Sequence, residues 1–433
     1  MYILIIIIIK KNMDSSKKET DKENKSKYLI ENIFIYEKDT QNNNIITFNN
    51  KFNFKINQLD LNNATIENIY FKDYLILFNK KYTNKEKQKL KYNFNKIIYF
   101  CYRKNTYPMK SRFNINISRD SGWGCMVRCG QMIMARAIYK YLKSKTFSTE
   151  KAISETIKYL LDMPYSDKNF PSIFSSILSK NQNEKIKTFK IFPPFGIHMH
   201  CLLGKFYNKY AGEWFSDVNI CQNYRDINEI FNIFPELNIF SFVSDLNLQE
   251  VLDNCFILLN KDISDNKNKK IVNFNNKQYI MEKCGLIFIS VRLGISKVTD
   301  EYYTSLKKLF ECKECIGMIG GETNLAHYFI GRNDKGNLIY LDPHITRDAI
   351  NELNDDNIIN DYLVKNLHEI SIDDMSTGLS IGFLFRNSDE FEELLKFIQD
   401  YCNNSFPCFG LIKEKVEIDL KKYEDLFNDE DDF

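Results

Sequence analysis

Residues 126–142, MVRCGQMIMARAIYKYL, constrain this chain more than any other stretch. The helix they would form is apolar over most of its circumference, and only Arg128, Gln131, Arg136 and Lys140 are strongly polar. Such a helix belongs inside a domain, enclosed by other elements. Gly130 would weaken it unless a neighbour packs closely there. With 433 residues the chain can enclose the helix in one large domain with insertions or in two smaller ones.

A second helix is predicted from Thr149 to Leu161, with Ser148 as N-cap and Pro164 soon after its end. Downstream, LIFISVRL at 286–293 and LIYLD at 338–342 are rich in branched and aromatic residues and read as buried strands. HYFIG at 327–331 pairs with the latter, because RNDKGN at 332–337 holds the Asn, Asp and Gly that hairpin turns use. A long central helix followed by strands indicates α+β and not a doubly wound sheet. Residues 10–27 are almost wholly charged or polar and read as a disordered arm. Asn- and Lys-rich patches near 41–51, 180–186 and 264–278 read as surface insertions. The chain thus divides into an N-terminal extension over 1–65, a folded domain over 66–412 and an acidic tail over 413–433.

Lys+Arg 59 against Asp+Glu 57 leaves a net charge of +2, so bulk electrostatics favour neither nucleic acid nor an acidic membrane surface. Eleven cysteines, irregularly spaced from Cys101 to Cys408, suit a reducing compartment, and the expectation is a cytoplasmic protein. The opening MYILIIIIIKK carries an apolar run of about eight residues, against the roughly 20 of a spanning helix. It has neither a basic n-region nor a small-residue cleavage site, and Met13 is a candidate alternative start.

In DSGWGCMVRCGQM, residues 120–132, Cys125 stands where the buried helix begins. Unpaired N–H groups and the helix dipole favour a thiolate there. Lowering a thiol pKa from about 8.5 to below 7 takes roughly 2 kcal/mol, and a dipole supplies up to about 1 kcal/mol at an exposed site. A charged partner is therefore required. Locally Cys125 is equally readable as a small apolar core residue, and Cys129, one turn on, reads as core. Cys312 and Cys315 form a lone CxxC, which without a second pair is weak evidence for zinc.

The partner has five candidates: His198, His200, His327, His344 and His368. LDPH at 341–344 ends a predicted strand, and the proline keeps Asp342 extended. Residues two apart on an extended chain point the same way, so Asp342 can hold one nitrogen of His344 and direct the other toward a thiol. A lone DxH is also readable as a surface turn.

The combination resembles a known family. DSGWGCMVRCGQM closely resembles the active-site signature of the autophagins, autophagy cysteine proteases that process GABARAP-type ubiquitin-like proteins. FCYRKNTYP at 100–108, GEWF at 212–215, VRLGI at 291–295, and IGMIGGETNLAHYFIG leading into LIYLDPH over 316–344 resemble further blocks of that family, in order, between Tyr74 and Phe385.

The resemblance implies a papain-like α+β fold over 66–412, with a long central active-site helix, an antiparallel sheet and a small additional subdomain. It implies catalytic roles for Cys125, Asp342 and His344, with Tyr102 as an oxyanion-hole hydroxyl acting beside the Cys125 N–H. Trp214 matches the tryptophan that walls the cleft over the scissile bond. GGETN at 320–324, with Gly320, Gly321 and Thr323, matches the loop that covers it, leaving a slot that only glycine fits. The chain departs from the family at Thr323, where proline is usual, and at Ser216 and Asp217, where Gly-Pro is usual. The implied activity is amide cleavage after the C-terminal glycine of the modifier, both in its precursor and in its phosphatidylethanolamine conjugate. A monomer reaching membranes only through its substrate, with no metal or organic cofactor, is expected. YEDL at 423–426 resembles short motifs that add a strand to the modifier's sheet, with Tyr423 and Leu426 as anchors; the alternative is a merely acidic disordered tail. Two rival readings are a deubiquitinase-type papain-like hydrolase and an inactive modifier-binding protein, though a binder needs none of Cys125, Asp342 and His344.

Overall fold

The computed structural model describes residues 71–145, 147–164, 189–259, 270–350, 356–364, 366–404 and 406–413, with short pieces at 24–26, 28 and 34–36. Tyr423 and Leu426 lie outside the described residues. At the centre is helix α1 (Cys125–Ser144), which starts on the cysteine and has 14 buried residues. A Cβ on Gly130 would lie 2.3 Å from Ile220 Cγ2, so the glycine is where helix α3 (Asp217–Phe231) packs against α1. Between them in sequence, α2 (Thr149–Lys158) begins at Ser148, whose hydroxyl accepts from the Lys151 N–H at 3.1 Å. α2 ends three residues short of the predicted Leu161, because Asp162 turns inward to meet Arg128 at 2.6 Å.

α1 lies on a nine-stranded sheet. Its strands are β1 (Tyr74–Leu77), β2 (Lys80–Thr83), β3 (Leu237–Val243), β4 (Cys284–Arg292), β5 (Cys315–Glu322), β6 (Leu325–Asn333), β7 (Leu338–Leu341), β8 (His368–Ile370) and β9 (Gly378–Phe385). The main path runs β8-β7-β6-β5-β9-β4-β3, with β1 on β6 and β2 on β1. The β6–β7 hairpin is the predicted one, turning through Gly336 at φ +88°. The expected antiparallel pairing holds along this path except between β3 and β4, which run parallel. A chain segment containing helix α4 (Leu248–Cys255) joins them, and parallel neighbours require such a crossover.

β4 shows why its sequence is continuously apolar. Leu286 and Phe288 face the core that holds α1, whereas Ile287 and Ile289 face a second core on the opposite side, with Leu252, Leu306 and Leu394. A strand buried on both faces loses the alternation of a half-exposed one. Beyond the sheet, 256–258, 271–274 and 277–281 form a separate three-stranded antiparallel sheet.

Part of the predicted disordered arm is ordered: residues 24–26 are helical, and Lys25 Nζ meets Asp226 at 2.9 Å and the Tyr207 hydroxyl at 3.0 Å. Asp226 is buried at one end of the fold, and a buried carboxylate retains a cation even from an otherwise polar segment.

Candidate active site

The turn before α1 explains why its glycines are needed. The Asp120 carbonyl accepts from the N–H groups of Trp123 at 3.2 Å and Gly124 at 2.8 Å. Gly122 takes φ +88°, and a Cβ on Gly124 would lie 2.6 Å from that of Asp120. Asp120 is fully buried and ties the turn to its surroundings. Its carboxylate accepts from the Arg103 N–H at 2.6 Å and from Arg128 Nε at 2.6 Å, while Arg128 also reaches Asp162 and Gln131, at 2.6 and 2.7 Å. The start of α1 is thus braced by a buried charge network. Each carboxylate offsets the cost of burying the guanidinium.

Asp342 and His344 leave the end of β7 on the chain that the proline keeps extended. The Tyr99 hydroxyl donates to the Asp342 carbonyl at 2.6 Å, and the Tyr102 N–H donates to the Pro343 carbonyl at 3.0 Å. The Asp342 carboxylate accepts from the His344 backbone N–H at 3.1 Å and bonds to its Nδ1. His344 Nε2 is shut off from solvent, makes no strict hydrogen bond among the described residues, and interacts with the Cys125 thiol. The Tyr102 ring stands edge-on to that of His344, centroids 5.4 Å apart, and its hydroxyl interacts with the same thiol.

These contacts set the charges. Burial pushes the Cys125 thiol up, but His344, the Ala326 N–H and the Tyr102 hydroxyl outweigh it and lower the thiol below its ordinary value. Burial opposes a charged His344, yet Asp342 and Cys125 raise it to about 9. Burial and the neighbouring Cys125 keep the Tyr102 hydroxyl protonated, as a hydrogen-bond donor must be. Cys129 is fully buried, its thiol pushed well above the usual range by burial. The result is one activated thiol beside an inert one, and a thiolate–imidazolium pair able to attack a carbonyl carbon and protonate a leaving nitrogen.

The remaining candidates fall at known places. Trp214 is 51% exposed, and its indole N–H donates to the Gly122 carbonyl at 2.7 Å, on the turn that leads into Cys125. Gly320 and Gly321 directly precede Glu322, the last residue of β5, and the expected loop is a tight hairpin: Gly320 pairs with His327 and Gly321 with Ala326. A Cβ on Gly321 would lie 1.8 Å from the Leu325 carbonyl. Thr323 is exposed at the tip, beside Asn324 at φ +67°. At the other departure from the family pattern, the Ser216 hydroxyl caps α3, accepting from the Asn219 N–H at 3.2 Å, and Asp217 accepts from Ser380 at 2.7 Å.

Sequence reasoning assigns no role to the Ala326 N–H and names His327 only as one of five candidate partners. His327 is buried, bonds Glu322 through Nε2 at 3.0 Å and lies with its ring 5.8 Å from that of His344. Their position on β6 was the available signal, since Ala326 and His327 come two and three residues after the GGETN segment and pair with Gly321 and Gly320. His327, Asp342 and His344 have ligand-type atoms within 4.8 Å of one another, but His344 is engaged by Asp342 and Cys125. His198 and His200 are core residues, lowered by burial to about 4 and about 3. Cys312 and Cys315 are buried thiols raised by burial, outside any three-ligand cluster among the described residues.

Residues 87–397 match the peptidase C54 catalytic domain. The chain belongs to the C54 peptidase family. This bears out the resemblance read from the motif blocks, and it makes the chain a cysteine-type peptidase. Among the relatives of this C54 peptidase, cysteine protease atg4 of Emericella nidulans is 26% identical over 282 residues, covering 63% of the chain and 58% of that protein. Cysteine protease ATG4A of Homo sapiens is 25% identical over 326 residues, covering 72% of the chain and 75% of the relative. Cysteine protease ATG4B of Gallus gallus is 24% identical over 356 residues, covering 76% and 81%. The chain therefore spans less than two thirds of the fungal relative's length. No helix among the described residues of the C54 peptidase is long and apolar enough to cross a membrane.

Proposed function

We propose that this C54 peptidase cleaves the amide bond after the C-terminal glycine of a GABARAP-type ubiquitin-like modifier, in the free precursor and in its phosphatidylethanolamine conjugate. The observation that carries the reading is the lowered Cys125 thiol at the start of α1, facing a His344 raised to about 9 by Asp342 and Cys125. The Cys125 thiolate attacks the glycine carbonyl, and His344 protonates the departing nitrogen. The thioester is then hydrolysed by a water from which His344 takes the proton. The Tyr102 hydroxyl and the Cys125 N–H receive the negative charge on the carbonyl oxygen, and losing one such donor costs about 2.7–4 kcal/mol of barrier. One site serves both substrates, because both bonds are amides to the same glycine.

The glycine specificity of this reading calls for a slot between Trp214, tethered to Gly122, and the hairpin tip at Thr323. The α+β fold with α1 at its centre fits a papain-like protease, with the separate three-stranded sheet as the added subdomain. The protein acts in the cytoplasm as a monomer, without a resident metal or cofactor, and docks the modifier's sheet edge through Tyr423 and Leu426. Incubation with a modifier carrying a C-terminal extension, read by intact mass, tests the reading. Release of the extension after glycine supports it; cleavage elsewhere, or cleavage of ubiquitin fusions alone, overturns it. Tyr423→Ala with Leu426→Ala weakens modifier binding while Cys125 stays reactive, and unchanged affinity removes the docking role.

A further inference from the structure

The far half of α1 is built differently from its start. The two-residue turn between β1 and β2 holds Phe78 and Asn79 at φ +45° and +62°, a conformation uncommon for a bulky side chain. This sets the Phe78 ring against Arg136, whose guanidinium carbon lies 4.1 Å from the ring centroid. Arg136 Nε is shut off from solvent and has no hydrogen-bond partner among the described residues. Beside it opens a cavity of about 280 Å³, lined by Lys80, Lys96, Arg136, Lys140, Lys143 and Arg386 and by no carboxylate. The remaining wall is largely aliphatic and aromatic.

Of these cations Arg386 is paired, with Glu390 accepting from its Nε at 3.0 Å, while Glu314 accepts from the Cys312 thiol at 3.6 Å. Lys143 donates to the Phe147 carbonyl at 3.0 Å, a contact that leaves its charge uncancelled. Burial, Arg136 and Arg386 together push Lys140 down to about 8, which shows how closely the cations are crowded. Holding Arg136, Lys140 and Lys143 together with no carboxylate in the cavity wall is costly, and a fold retains such a cluster where a ligand brings the charge. A single carboxylate would satisfy one of these groups. Phosphate oxygens, several to a molecule, match both the guanidinium fork and the ammonium groups. The cavity volume is at the small end of the roughly 300–1,000 Å³ of small-molecule sites, which suits a compact head group and not a peptide or nucleic-acid strand.

We propose that this cavity binds a compact, multiply phosphorylated ligand of the inositol phosphate type, either free or as a lipid head group at a membrane surface. The full chain is titrated with inositol hexakisphosphate and, separately, with phosphatidylcholine vesicles with and without phosphatidylinositol 4,5-bisphosphate. Saturable binding to a phosphorylated probe is expected, weakened at least tenfold in Arg136→Met with Lys140→Gln. Binding to the soluble probe assigns a free ligand; binding only to the phosphoinositide vesicles assigns the lipid. No binding to either probe, or binding unchanged in the double variant, overturns the proposal. If the double variant lacks a cooperative thermal transition, Lys80→Glu with Lys143→Glu at the rim takes its place under the same criterion.

Discussion

Arg128 and Arg136 stand two turns apart on one helix, and their surroundings are opposite. Arg128 is fully buried between Asp120 and Asp162; burial opposes its charge, but the two carboxylates hold it above its ordinary pKa. Arg136 lies on the Phe78 ring with no carboxylate partner among the described residues, and burial pushes it below its ordinary pKa. At one end of α1 the buried guanidinium is paired with two carboxylates, as suits a preorganised site that holds Cys125 in place. The other end is left electrostatically incomplete. The same residue type in the same helix is thus a brace in one turn and an open binding group in another, and only the partners decide which.

The comparison can be broken at several points. The largest effect is at the compensated end: Cys125→Ala abolishes cleavage, a loss of at least about 10⁴-fold, and removes labelling by a thiol-reactive probe. Equal labelling of parent and variant would sink the nucleophile assignment. Asp342→Asn leaves the thiol present but frees the imidazole, and kcat should fall by roughly 10³–10⁴ with little change in melting temperature. Arg128→Met strands two buried carboxylates and should cost about 3–5 kcal/mol in denaturant unfolding. A loss below 1 kcal/mol would mean that the network is not a brace.

A smaller effect concerns pH. The active pair needs Cys125 deprotonated and His344 protonated, so kcat/KM rises with pH through the lowered thiol pKa and falls again above about 9. The activity at pH 10 should be about one tenth of the plateau, and a plateau continuing beyond pH 10 would contradict the raised His344. The same sign governs its stability contribution. His344 is raised on folding, so its stabilisation is complete below the unfolded value near 6.5 and is lost as pH rises through about 9. The smallest effect is Arg136→Met, which strands no carboxylate and should be neutral or stabilising by up to about 1–2 kcal/mol. If it destabilises as much as Arg128→Met, the two ends of the helix are equivalent after all.

Much of this was legible in the chain itself. The apolar run predicted α1 to within two residues at each end, and Gly130 announced a close neighbour, which is Ile220 on α3. The Asn-Asp-Lys-Gly turn predicted the β6–β7 hairpin, and Asp342-Pro343-His344 predicted a carboxylate held against an imidazole. These are short-range features, in which backbone geometry follows from a few neighbouring residues. The parallel pairing of β3 with β4 was not legible, because it depends on where a crossover returns the chain. Nor was the docking of Lys25 on Asp226, 201 residues away.

The sequence by itself determined that a buried helix begins on Cys125, that an extended Asp–Pro–His segment ends a strand, and that four polar groups must be accommodated within an apolar helix. Tertiary structure alone decided which of those groups received partners. Charge compensation is a matter of a few ångströms between residues far apart in the chain. Periodicity shows which residues are buried, but not that Asp120 and Asp162 meet Arg128 while Arg136 lies on the Phe78 ring with no carboxylate partner among the described residues.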